Sequence, residues 1–237
     1  MEIFNRIVRR GLAAFTLFTL ELIVIWTAFL GSLFVFLFIT KEIFHLREEE
    51  FDKNVFLFLN AHISTSMTDF MEGITFFASR NFIAGAALMV FFYFIFIKRH
   101  AWYSLKIPVV ALGSITLNLV LKHLFNRPRP LMPHLVKSSG LSFPSGHAMI
   151  SISFYGLLIY LIWEQVQNRG IKYTLIALLL ILIHLIGFSR VYLRVHYASD
   201  VMAGFALGTL WLILSIFLIN KIEKYSRRKL APAIEAS

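Results

Sequence analysis

Six apolar runs, each bounded by charged or polar residues, divide the chain. The first lies between Arg10 and Lys41, with Glu21 its one charged residue. Residues 81–97 sit between Arg80 and Lys98, and 107–121 end at Lys122. Residues 148–163 follow His147, 173–188 precede Ser189 and Arg190, and 201–220 follow Asp200. A helix needs ~17–25 apolar residues to cross a bilayer, so several runs reach length only if the polar residues at their ends are helical too. Those polar residues then stand at the membrane edge. The pattern predicts an all-α fold, an integral membrane bundle of six transmembrane helices. Read singly, a short run could be a buried helix of a soluble protein; six in one chain argue against it.

The first run is longer than the ~7–15 residue core of a signal peptide, and no small-residue cleavage pattern follows it, so it is expected to be a permanent anchor. Its early turns are expected along the interface, with Glu21 near headgroups or paired with a cation such as Arg10. The stretch 55–79 is moderately apolar and is expected to form short surface helices in the first outward loop. Residues 1–230 read as one six-span domain and 231–237 as a flexible tail.

Composition sharpens this picture. Hydrophobic residues make up 58% of the chain and charged residues 15%, against about 45–50% and 25% in soluble domains. The absence of Cys removes disulfide frameworks, thiol nucleophiles and cysteine zinc sites. The net charge of +10, on so apolar a chain, points to anionic headgroups or phosphorylated lipids as partners rather than nucleic acid. No obligate protein partner is evident.

Charge also orients the chain. Arg6, Arg9 and Arg10, then Lys98, Arg99 and Lys106, then Arg169 and Lys172, and finally Lys221 to Lys229 share one side of a six-span layout. That basic side is expected to be cytoplasmic, with both termini on it. The first connection, with Glu42, Glu48, Glu49, Glu50, Asp52, Asp69 and Glu72, falls opposite. Two outward connections break the rule: one carries Lys122, Arg127, Arg129 and Lys137, the other Arg190 and Arg194. Binding an anion would account for cations there.

The outward ends carry three groups of polar residues. In the first, Lys122 leads to Arg129 between Pro128 and Pro130, which fix the backbone and stop the helix; alone, this is also a basic helix end with a turn. In the second, Ser142-Phe143-Pro144-Ser145-Gly146-His147 precedes a span, and a helix N-terminus offers free N–H groups to phosphate. Gly146 lets an anion approach, and Ser145 offers a hydroxyl or a plain helix cap. In the third, His196 and Asp200 are four apart and would share a face of a helix. Such a pair is either a surface ion pair or a base held by its orienting acid. Taken together at one membrane face, the groups suit phosphoryl transfer without metal. Between Glu72 and Asp200 the sole carboxylate is Glu164, on the other side, and two-metal sites need several. A zinc site using His147 and His196 with His123 or His134 would be opposed by the surrounding cations.

These residues resemble the type-2 phosphatidic acid phosphatase family, whose motifs are KxxxxxxRP, PSGH and SRxxxxxHxxxD. They read here as Lys122 to Arg129-Pro130, Pro144-Ser145-Gly146-His147, and Ser189-Arg190 to His196 and Asp200, without departure. The motifs cover 122–200, and the six-span layout extends the likeness along the chain. The family shares its site with soluble vanadium haloperoxidases, a branch the apolar spans oppose. The resemblance implies a lipid phosphatase needing no cofactor or metal. His196 would attack phosphorus and become a phosphohistidine, Asp200 would orient it, and His147 would protonate the leaving oxygen. Lys122, Arg129, Arg190, Ser145 and the Gly146 N–H would hold the phosphoryl oxygens. Arg127 and Arg194, outside the motifs, are expected to meet headgroups or pair elsewhere, and His184 to be a satisfied packing residue. The expected location is the plasma (inner) membrane with the site facing outward. Substrates of this family include phosphatidylglycerol phosphate, phosphatidic acid and undecaprenyl diphosphate; a lipid phosphotransferase, or a non-catalytic anion or lipid transporter, are the other readings.

Overall fold

A computed structural model describes the backbone of residues 2–46 and 49–229 and the side chains of 22–46 and 49–228. Among the described residues the secondary structure is helical. Helix α1 (Glu2–Lys41) continues into a wide π-helical turn, Glu42–Leu46. Two short helices follow, α2 (Glu50–Asn60) and α3 (Thr65–Phe76). Then come α4 (Arg80–Phe92), extended by a second wide turn to Ile97, α5 (Ala101–Phe125), α6 (Gly146–Gln165), α7 (Arg169–Tyr192) and α8 (Ala198–Lys229).

Six segments are long and apolar enough to cross a membrane: Leu22–Leu46, Arg80–Ile97, Ala101–Phe125, Gly146–Gln165, Arg169–Tyr192 and Ala198–Arg228. The chain is an integral membrane protein. The short runs of the sequence gain their length from polar ends, as expected: α5 runs past Lys122 to Phe125, and α6 starts at Gly146. The side chain of Glu21 and the tail 231–237 lie outside the described residues.

Helix α8 is the hub, packed against α6, α1, α5 and α7. Without a hydrophobic driving force in lipid, close backbone approach decides such packing. Gly204 and Gly208, one turn apart on α8, provide it. A methyl group on Gly204 would sit 2.7 Å from the Ser145 carbonyl oxygen, and one on Gly208 2.7 Å from that of Met149. The helix on which Ser145 and His147 ride is thereby pressed onto the helix that carries Asp200. Apolar side chains such as Leu112, Leu178 and Phe217 point outward, toward lipid.

The two short helices lie where surface helices were expected, with α3 packed along α7 and α2 against α7 and α8. Elsewhere, Phe36 and Phe44 of the first span meet Phe125 and the fully buried Phe143. The Phe44–Phe125 and Phe125–Phe143 ring centroids are 5.0 Å apart. This aromatic floor seats the loop that leads into α6. At the other end of the bundle, buried Lys106 lies 4.0 Å from Glu223, with its ammonium over the rings of Tyr103 and Tyr160.

Candidate active site

The C-terminal ends of α5 and α7 and the N-terminal ends of α6 and α8 meet at one end of the bundle, and all eight residues singled out from the sequence lie there. Helix α5 stops at Asn126, whose left-handed backbone (φ 47°) turns the chain ahead of Pro128. The loop then crosses to α6, which Ser145 caps by accepting from the Ala148 N–H at 3.5 Å. A side chain at Gly146 would press on Asn118 Oδ1, 3.0 Å from its Cβ, and Asn118 in turn donates to the Pro144 carbonyl at 3.2 Å. A larger residue there would have to displace the Asn118 side chain by a few tenths of an ångström. The turn leaves the first amides of α6 without an intrahelical partner.

His196 is 2% exposed and lies in the turn between α7 and α8, not on a helix. The expected shared helical face is thus replaced by another device. Asp200, in the first turn of α8, reaches back and accepts the Tyr197 N–H at 2.9 Å, as the acid of a capping box does. The same oxygen, Oδ2, lies 3.5 Å from His196 Nδ1 and accepts the hydroxyl of Ser142. Ser142 Oγ is 3.3 Å from His196 Nδ1. Nδ1 is therefore the protonated nitrogen, shared between two oxygens, and Nε2 keeps a free lone pair. Burial pushes the His196 pKa down to about 4, although Asp200 acts in the opposite sense. The imidazole is neutral at ordinary pH.

The cations surround this pair while bracing the backbone. Lys122 Nζ donates to the carbonyls of Leu141 (2.6 Å) and Ser142 (3.2 Å). Arg129 donates to the carbonyls of Gly140 (3.1 Å) and Ser139 (3.0 Å), and to that of Val195 (2.6 Å) just before His196. Arg190, largely buried, donates to Thr75 Oγ1 of α3 at 2.7 Å, while its Nε has no partner among the described residues. His147 is half-buried and lines a lateral groove of ≈ 890 Å³. The groove runs between α4, α5 and α6, walled by apolar residues including Ile83, Leu88, Ile115 and Ile150.

Arg127 is the residue the motifs undersold. It does not meet headgroups: it is 6% exposed and paired on two sides. Nη1 donates to Asp200 Oδ1 (2.7 Å) and Ser199 Oγ (2.9 Å), and Nη2 to Asp52 Oδ2 (3.0 Å). The guanidinium also covers the Tyr197 ring, 3.9 Å from its centroid. Burial opposes its charge, but Asp200 and Asp52 outweigh that and raise its pKa. Asp52, on α2, was missed altogether. The available signal was its place on the buried stripe of an amphipathic helix with Phe56 and Leu59, where an acid demands a partner. Arg194 pairs with Asn60 Oδ1 at 2.6 Å. His184 is exposed, held to its own helix through the Leu180 carbonyl at 2.8 Å.

His123 and His134 do not join the histidine pair as zinc ligands would: each is held within its own segment, by the Leu119 and Pro130 carbonyls. Among the described residues, no three of His, Asp and Glu converge as a metal cage.

Comparison with known proteins places the chain among relatives of similar sequence and fold. The profile of the PAP2 superfamily matches residues 103–224. Phosphatidylglycerophosphatase B of Bacillus subtilis is 31% identical over 170 residues, covering 68% of this chain and 80% of that protein. Dolichyldiphosphatase of Saccharomyces cerevisiae is 27% identical over 186 residues, 72% of this chain and 73% of that protein. Among solved structures, a transmembrane PAP2-type phosphatidylglycerolphosphate phosphatase from Bacillus subtilis superposes with a TM-score of 0.75 at 27% identity. The match covers 83% of this chain and 98% of that one.

Proposed function

We propose that this chain, which belongs to the PAP2 superfamily, hydrolyses the phosphate or diphosphate headgroup of a membrane lipid through a phosphohistidine, without a metal ion. The observation that carries this is the buried His196, its Nδ1–H shared between Ser142 and Asp200 and its Nε2 left free. In the first step Nε2 attacks phosphorus, the P–O bond to the lipid breaks, and His147 gives its proton to the leaving oxygen. Asp200 stabilises the positive imidazole that forms. Lys122, Arg129, Arg190, the Ser145 hydroxyl and the Gly146 N–H hold the phosphoryl oxygens as charge builds on them. In the second step His147 takes a proton from water, the water oxygen attacks phosphorus, and the P–N bond breaks to release phosphate.

The donor set supports a metal-free reaction. The carboxylates nearest the site, Asp52 and Asp200, are already engaged by Arg127, Ser199, Ser142 and Tyr197. Three cations around the pocket would repel a divalent ion. The groove beside His147 suits a hydrocarbon chain, with the headgroup at its polar end. The relatives span a phosphomonoester and a diphosphate enzyme, so the substrate is stated as that class.

Phosphate release from a panel of purified lipid phosphates and diphosphates, in excess chelator, tests the reading. Activity should persist in wild type and vanish in His196→Ala. Activity lost in chelator and restored by one divalent ion would refute the metal-free mechanism. No release from any lipid phosphate would favour a transferase or a transporter.

A further inference from the structure

The reaction described above uses Asp200 but leaves unexplained what holds Asp200. Its two oxygens are divided. Oδ2 serves His196, Ser142 and the Tyr197 N–H, while Oδ1 serves Arg127. Arg127 would compete for the whole carboxylate if it had no other acid. A buried guanidinium facing one carboxylate tends toward a bidentate, fork-on-fork pair, which would occupy both oxygens. Asp52 prevents this by engaging Nη2 from the opposite side, 3.0 Å away. Asp52 is fixed in turn by the Ser199 N–H (2.9 Å) and hydroxyl (2.5 Å), at the very start of α8. The three charged side chains are 3%, 6% and 0% exposed, so water does not screen them.

Resting on the phosphatase reading, we infer that Asp52 is a positioning residue for the nucleophile: it anchors Arg127 so that Asp200 keeps Oδ2 for His196. Asp52 lies outside the region matched by the family profile, in a surface helix whose sequence carries no motif. It touches none of Lys122, Arg129, Arg190 or Ser145, so it acts on the rate of attack and not on the grip on phosphate. In Asp52→Asn the amide gives Arg127 a neutral acceptor at best, and the guanidinium shifts onto Asp200. The His196 Nδ1–H then loses its orienting oxygen.

The test is steady-state phosphate release by full-length wild type, Asp52→Asn, Arg127→Gln and the double variant, with Glu50→Gln on the exposed face of α2 as control. All are purified in one detergent, with the folded fraction measured by thermal melting. Loss of a partner that orients a metal-binding histidine costs about 10- to 100-fold, and a fall of that order is expected for a nucleophilic one. Asp52→Asn should lower kcat by that much, with KM and the inhibition constant of inorganic phosphate unchanged. Adding Asp52→Asn to Arg127→Gln should cost nothing further, as expected of two residues that act on Asp200 as one network. Glu50→Gln should match wild type. Wild-type kcat in folded Asp52→Asn, or a rise in KM with kcat unchanged, overturns the inference. If Asp52→Asn does not fold, Asp52→Glu replaces it: the charge is kept but displaced, and the same fall in kcat at constant KM is expected. A wild-type protein that releases no phosphate from any lipid overturns the phosphatase reading, and this inference with it; an active wild type with insensitive Asp52 variants overturns this inference alone.

Discussion

The pKa of His196 links chemistry to stability. Its folded value, about 4, lies below the ordinary 6.5 because the ring is buried. Between those values the unfolded chain binds the proton that the folded site excludes. Stability is therefore complete above about pH 6.5 and falls as pH drops toward 4. The wild type should lose more thermal stability between pH 7 and pH 5 than His196→Gln, whose side chain does not titrate; equal losses would mean the ring is not held neutral. Much of the site was legible at this scale, because fixed spacing brought Lys122, Arg129, Ser145, His147, Arg190, His196 and Asp200 into view. Ser142 was quoted but given no role, since a hydroxyl that bridges an acid and an imidazole leaves no spacing rule. Asp52 was hidden for a related reason: its partner Arg127 stands 75 residues away, and that contact exists only once α2 lies against α8.

At the scale of elements, the six apolar runs became the six long helices, because lipid admits little else as a spanning structure. Their ends could not be read from hydropathy. Lys122 is helical while charged, and His196 is not helical although it sits four residues from its acid. The groove between α4, α5 and α6 was not legible either, since it arises from how far apart the helices stand. Ile115 on α5 lines it, and a larger residue there should obstruct a chain without touching the polar end. Ile115→Trp is expected to raise KM several-fold for long-chain lipid phosphates and to leave turnover of a short, water-soluble phosphate ester unchanged. Equal effects on both substrates would mean that the groove does not house the chain.

For the whole molecule, the site and the basic flanks lie at opposite ends of the bundle. Lys98, Arg99, Lys172, Lys221 and Arg227 mark the far end, which is expected to face the cytoplasm. Since the chain has no native Cys, Ser138→Cys beside the site and Ser226→Cys near the end of α8 can report the sidedness. An impermeant thiol reagent on intact cells should label the first and spare the second; the reverse pattern would put the chemistry in the inner leaflet. The cations at the site end, which would oppose the charge rule if that end faces outward, become intelligible in the folded protein. Arg127 is neutralised by two acids, and Lys122 and Arg129 are wrapped in backbone carbonyls. The groove is walled by spanning helices, and its lining residues Leu88, Leu112 and Leu119 are exposed apolar side chains on the flank of the bundle. A lipid can thus arrive by two-dimensional diffusion without its chains ever leaving the hydrocarbon, and the concentration that governs capture is its mole fraction in the membrane. Diluting the substrate with inert lipid or detergent should slow turnover even at constant bulk concentration, while enlarging the aqueous volume around the same vesicles should not.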